Sequence, residues 1–325
     1  MIMYEFFLGN NRHEIKNRWE ELAPDEFVYL FNLLESFNRG ELTVGDVRVK
    51  MVLRLMKISK IKIRTVEEEN LVSENIYRLQ QHLDFIFRIV YEDKRFAALP
   101  EYLKHELSRR EPENSGCPEE RLAIRFERYY EVDSVFCKNL IPCIDGIHGY
   151  KMENQNGILV TDFTAARFCD AVALSDRFIQ TNDIKLLDTL VSILYFEGKY
   201  DPNLAIERAV CFSELSKNFK AAIFFNLQCV LAFLYNKTKY KILFGRNRKK
   251  DKVKLYNSGL AGSLITMGKR FGGVEMVGNG GLIDFLEMML DSLIEYVQEL
   301  DAMGKSVVEI AEKTKLDVIT IKNVL

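Results

Sequence analysis

The chain has 325 residues, 48% of them hydrophobic, with 45 Lys and Arg against 47 Asp and Glu and a formal charge of −2. That length and apolar content support one large or two medium domains with a sizeable core, and exclude an intrinsically disordered chain. Near-neutrality excludes the whole chain as an electrostatic collector of nucleic acid or anionic membrane, leaving that role to local patches, while six prolines and eighteen glycines favour helices over a turn-rich sandwich.

The first residues, "MYEFFLGNNRHEIK", predict a β-hairpin, because Gly and Asn in "GNN" tolerate the positive φ of a tight turn. "Pro24-Asp25-Glu26" opens a helix with acids at its positive end, and Phe27, Leu30, Phe31, Leu34 and Phe37 recur at helical spacing until Gly40. Thr43 caps a second helix, "VGDVRVKMVLRLMKI", to complete a helical hairpin. Lys60 to Arg64 alternates and predicts a short strand. "ENLVSENIYRLQQHLDFIFRIVYEDKR" predicts one long helix, with Leu79, Leu83, Phe85, Ile86, Ile89 and Val90 mostly on one side.

From Phe96 to Phe163 the helical period fades. "SRREPENSGCPEE" (Ser108 to Glu120) reads as a loop or hinge, "RFERYYEVDSVF" as part strand, and "NLIPCIDGIHGYKMENQNG" as a glycine-punctuated connector with short strands. From Thr161 short-linked amphipathic helices return: "TDFTAARFCDAVALSDRFIQTND", "IKLLDTLVSILYF", "NLAIERAVCFSEL" and "FKAAIFFNLQCVLAFLYNK". A Gly-rich stretch (Gly259 to Gly281), a long helix (Leu282 to Met303) and the tail "GKSVVEIAEKTKLDVITIKNVL" follow. The fold class expected is mainly α: a helical bundle with an N-terminal β-hairpin and a small irregular or β-containing middle region. Its expected divisions are residues 1–107, 108–160 and 161–325.

Cys117, Cys137, Cys143, Cys169, Cys211 and Cys229 form no CxxC pair, which predicts reduced, mostly buried thiols in a cytoplasmic setting, with a Cys137–Cys143 disulfide as the minor alternative. The N-terminus lacks the basic-then-apolar pattern of a signal peptide. "AAIFFNLQCVLAFLY" (Ala221 to Tyr235) contains Asn226 and Gln228 and falls short of the roughly 20 apolar residues of a membrane span, so a buried helix and no membrane association are expected.

Two stretches qualify as candidate binding sites. The basic run Lys237, Lys239, Lys241, Arg246, Arg248, Lys249, Lys250, Lys252 and Lys254 meets the single acid Asp251, with Tyr240 and Phe244 interleaved. Such a run follows a nucleic-acid backbone, docks on an acidic protein surface, or is simply solvated. The acidic helix Leu282–Met303 is a ready partner, in the same molecule or a neighbouring copy. It carries Asp284, Glu287, Asp291, Glu295, Glu299 and Asp301 and no Lys or Arg. The tail has a helix-turn-helix rhythm whose second helix would offer Thr320, Lys322 and Asn323 to bases. It has no Arg, and the acidic helix before it would repel phosphates. The bland alternative packs Val308, Ile310, Leu316, Ile319 and Ile321 into a helical hairpin.

No cofactor or metal is expected. "GSLITMGKR" mimics a phosphate loop, but five residues separate Gly262 from Gly268 and Arg270 follows Lys269, so a hinge or close helix packing is the better reading. His13, His82, His105 and His148 are far apart, with no i, i+4 ligand pair, and no GxSxG element occurs. His148 in "DGIHGY" is expected in an exposed turn. The chain is therefore expected to be non-enzymatic.

Three stretches in order, "NRWEELAPDEFVYLFNLL", "NLIPCIDGIHGYKMENQNGILVTDFTAARFCDA" and "FIQTNDIKLLDTLVSILY", resemble proteins encoded by phages and prophages of Bacteroidetes. The shared features are an N-terminal Trp (Trp19), an "NxxP" loop (Asn139 to Pro142) and a helix pair ending in Leu-Tyr (Leu194, Tyr195), over roughly Met1 to Tyr200. After Leu-Tyr the chain departs from that pattern with "FEGKY". The resemblance implies a structural or assembly protein of a tail or head module, binding other proteins or itself in the host cytoplasm or the particle. The rival expectation is a DNA-binding protein that grips phosphates with the basic run and reads bases with the tail.

Overall fold

The computed structural model describes residues 4–8, 11–58, 65–244 and 259–325. It is mainly α-helical, with small two-stranded sheets. It separates into two compact units, Met1–Ser134 and Val135–Leu325. The three-part division expected from composition is not the one the backbone adopts.

In the first unit β1 (Tyr4–Leu8) and β2 (Asn11–Ile15) form the expected antiparallel hairpin, closed by Leu8 opposite Asn11. α1 (Pro24–Asn38) starts on its proline and buries Phe27, Leu30, Phe31, Leu33 and Leu34. α2 (Val44–Leu55) is opened by a reciprocal cap: Asp46 N–H donates to Thr43 Oγ1 (3.2 Å), and Thr43 N–H donates to Asp46 Oδ2 (2.8 Å). Trp19 anchors this core, edge-on to Phe27 and Phe85, with its indole N–H donating to the Asp133 carbonyl at 2.8 Å. The strand expected at Lys60–Arg64 lies outside the described residues.

The long helix expected over 69–95 is instead three elements. α3 (Val66–Gln80) buries none of its residues, a short helical turn follows with non-helical backbone at Leu83, and β3 (Phe87–Tyr91) is a strand. "FRIVY" alternates and pairs antiparallel with β4 (Arg128–Val132), so tertiary pairing decides a run that fits both periods. The stretch 108–117 is a loop, as expected, and helix begins at Pro118. α4 (Glu101–Leu107) and α5 (Pro118–Ala123) flank it, and the buried Glu120 carboxylate accepts from Arg110 Nη1 (2.6 Å) and Glu113 N–H (2.9 Å). Those donors, Arg110 first, hold the Glu120 carboxyl below its ordinary range.

The second unit begins with an extended segment and two hairpins: β5 (Cys143–Ile144) with β6 (Ile147–His148), and β7 (Met152–Gln155) with β8 (Ile158–Thr161). The helices α6 (Ala165–Thr181), α7 (Lys185–Leu194), α8 (Pro202–Arg208) and α9 (Lys217–Lys237) follow, as expected. α9 is long and apolar enough to cross a membrane by length and composition, and half of that window is buried inside the fold. It carries a buried Asn226 whose amide accepts from Leu140 N–H (2.8 Å) and donates to the Lys138 carbonyl (2.8 Å), the behaviour of a core helix serving backbone that has no ladder of its own. Arg167 does the same for the end of α7, donating to the Ile193 and Leu194 carbonyls at 2.8 and 2.6 Å.

After α9 come α10 (Lys241–Phe244), α11 (Gly259–Arg270), α12 (Val274–Asn279), α13 (Leu282–Ala302), α14 (Val307–Thr314) and α15 (Val318–Val324). The glycine-rich stretch is thus largely helical. Gly268 sits where a Cβ would lie 2.5 Å from Val274 Cα, so it serves close packing of α11 on α12. No cysteine is in a disulfide; Cys137, Cys169 and Cys229 are buried, whereas Cys117, Cys143 and Cys211 are exposed, so the expectation of mostly buried thiols holds for half of them.

Candidate functional site

The described part of the basic run is built from the end of α9. Thr238 leaves the helix in an extended conformation, its hydroxyl donating to the Leu234 carbonyl at 2.6 Å and accepting from Tyr240 N–H at 3.2 Å. This turn drives Tyr240 inward and leaves Lys237, Lys239 and Lys241 exposed. Lys239 Nζ and the Tyr240 hydroxyl both reach Glu287 Oε1 on α13, at 2.5 and 2.6 Å. Burial opposes ionisation of Glu287, but the hydrogen bonds from Lys239 and Tyr240 outweigh it and hold the carboxyl below its ordinary range. Burial and the Glu287 contact push the Tyr240 phenol up. The basic run and the acidic helix therefore meet within one molecule at their described ends. Arg246, Arg248, Lys249, Lys250, Lys252 and Lys254 lie outside the described residues.

The rest of the acidic helix is only partly neutralised. Arg270 on α11 pairs with Glu295 (2.5 Å) and donates to Ser292 Oγ (2.9 Å). Asp284, Asp291, Glu299 and Asp301 are exposed and form no ion pair among the described residues.

The tail packs, though not with all the residues expected. Ile310, Leu316 and Ile321 join Leu293, Val297 and Leu300 of α13 in one buried cluster, against which Ile242 and Leu243 of α10 rest. Val308 and Ile319, expected inside, are 62% and 72% exposed, because they sit on the outer faces of α14 and α15. The turn between these helices begins at a left-handed cap, Lys315 at φ 61°, whose N–H donates to the Ala311 carbonyl. Of the three candidate base readers, Lys322 and Asn323 are exposed, while the Thr320 hydroxyl donates to Asp317 Oδ2 at 2.6 Å as part of the α15 cap. Residues 282–325 carry nine acids against four lysines, a poor surface for phosphate.

A feature missed in the sequence lies beside Glu287. The β7–β8 hairpin, the end of α9 and the start of α13 enclose an open cleft of about 430 Å³, lined by Leu159, Phe233, Lys237, Tyr240, Ile283 and Glu287 among others. Its walls come from three remote segments, so no local motif signals it. His148 is exposed, as expected, and its backbone N–H donates to Glu197 Oε1 at 3.1 Å. Among the described residues no three His, Cys, Asp or Glu side chains group to hold a metal ion.

No protein-family model, curated protein or solved structure matches the chain.

Proposed function

We propose that the chain is a non-enzymatic protein-binding component of an assembly, joined to partners or to further copies of itself by charge complementarity. One observation carries this reading: Lys239 of the basic run is seated on Glu287 of the acidic helix, while Asp284, Asp291, Glu299 and Asp301 on the same helix have no ion pair among the described residues. A surface that already binds the start of the basic run, and keeps exposed acids beyond it, suits the basic run of a neighbour. Such complementarity fixes orientation and speeds encounter more than it adds affinity. The resemblance of the first two hundred residues to phage-encoded proteins is the basis for setting this role in particle assembly.

The test is sedimentation velocity of the full chain over a salt series, beside a variant with Arg246→Glu, Arg248→Glu, Lys249→Glu and Lys250→Glu. Salt-sensitive self-association lost in the variant supports the reading; association that survives the reversal unchanged removes the basic run from it. DNA binding remains the second reading, favoured by the αL turn at Lys315. Anisotropy of a labelled duplex decides it: binding with a steep salt slope that is lost in the same variant would favour DNA over protein.

A further inference from the structure

We propose that Cys143 and His148 form a thiol–imidazole pair, a modification site at which the chain takes up a small thiol from a low-molecular-weight disulfide. The inference rests on the β5–β6 hairpin and is independent of the assembly reading. The hairpin turns through two residues, Asp145 and Gly146, both at positive φ (49° and 86°). Ile144 and Ile147 are then the closing hydrogen-bonded pair, and beyond them Gly149 N–H donates to the Pro142 carbonyl at 2.9 Å. Cys143 and His148, between these, are a non-hydrogen-bonded pair, the kind whose Cα atoms approach to about 4.5 Å and whose side chains lie closest. They share the outer face: both residues are exposed, whereas Ile144 is buried.

The base of the hairpin is pinned by remote partners. Tyr150 N–H donates to the Leu194 carbonyl at 2.9 Å, Asn139 Nδ2 to the Tyr150 carbonyl at 3.0 Å, and the Tyr195 hydroxyl to the Ile141 carbonyl. Gly149 lets the strand lie on this seat, since a Cβ there would fall 2.8 Å from Asn139 Nδ2 and from a Tyr195 ring carbon. His148 N–H points outward and donates to Glu197 Oε1. The fold thus sets thiol and imidazole opposite each other on rigid backbone. The thiolate is the nucleophile in thiol–disulfide exchange, and an adjacent imidazole supplies it by taking the thiol proton. As that proton passes to His148, Cys143 Sγ attacks one sulfur of the disulfide; the new S–S bond forms while the old one breaks. The departing thiolate takes the proton back from the imidazole and leaves as a free thiol, so no further oxidant is required.

The probe is 2-hydroxyethyl disulfide, uncharged so that Asp145 in the turn and Glu197 beside it do not bias the comparison. The full chain is exposed to it briefly near neutral pH, and mass spectrometry of the peptides counts the adduct at each cysteine. The exposed Cys117 and Cys211 are internal standards, and the buried Cys137 and Cys229 report any loss of fold. An unassisted thiol is only a few per cent thiolate at neutral pH, and a more acidic thiol is a weaker nucleophile, so Cys143 should react about threefold to tenfold faster than the standards. His148→Gln should bring Cys143 down to their rate and leave the standards unchanged. Cys143 reacting no faster than the standards overturns the proposal, as does an unchanged rate in a His148→Gln protein whose buried thiols stay unlabelled. A covalent Cys143–Cys143 dimer on a non-reducing gel, in place of the small adduct, also overturns it. Should the variant expose its buried thiols, the wild-type comparison decides alone.

Discussion

At the residue scale the second unit rests on buried polar side chains that serve the backbone and each other. Asp170 on α6 accepts from the Tyr200 hydroxyl at 2.7 Å, yet burial outweighs that bond and raises its carboxyl above the ordinary value. A folded-state pKa above the unfolded one means that ionising Asp170 costs stability as pH rises through the folded value. Asp170→Asn keeps an acceptor for Tyr200 and removes the charge. The melting temperature should rise at pH 8, and the gain should vanish as pH falls to the ordinary carboxylate range, where Asp170 is itself protonated. A melting temperature that falls at pH 8, or a gain that persists in acid, would mean that the charge is compensated. Nothing in "FCDAVAL" marks this aspartate as half-buried or points to its hydrogen-bond partner Tyr200, thirty residues on.

At the element scale the C-terminal hairpin gives a direct contrast. Ile321 is fully buried against α13, whereas Ile319, two residues earlier on α15, faces solvent. Ile321→Ala should cost about 2–5 kcal/mol, and Ile319→Ala should stay within about 0.5 kcal/mol; chemical denaturation of the two variants measures both. Similar losses would place Ile319 in a contact that the monomer does not make. Helices were legible wherever caps and period agree, as in "TVGD" opening α2 and the SVVE capping box of α14. β3 was not legible, because "FIFRIV" satisfies a helical face and an alternating strand equally, and only pairing with β4 decides. The union of basic run and acidic helix was legible as charge. The cleft beside it was not, since Leu159, Phe233 and Ile283 share no periodicity.

At the scale of the whole molecule the chain divides at Ser134, with no proline- or glycine-rich linker in "EVDSVF" to announce it. Much of what knits the second unit is remote in sequence. The Tyr195 hydroxyl donates to the Ile141 carbonyl at 2.5 Å, and Asn226 holds residues 138 and 140 from 86 to 88 positions away. The segment 138–141 has only an isolated bridge from Lys138 to Glu153 and takes further hydrogen bonds from Tyr195, just past α7, and from Asn226 on α9. Its order therefore has to follow theirs in time. The Leu140 amide, bound to a buried side chain, can exchange with deuterium only when α9 leaves its seat, so it should rank among the slowest amides of the unit despite lying in a loop. Fast exchange at Leu140 would show that the segment opens alone. Slow exchange would make one amide a reporter for the cooperative unfolding of everything from Val135 onward, and would place this segment late in the folding sequence, after the helices that supply its partners.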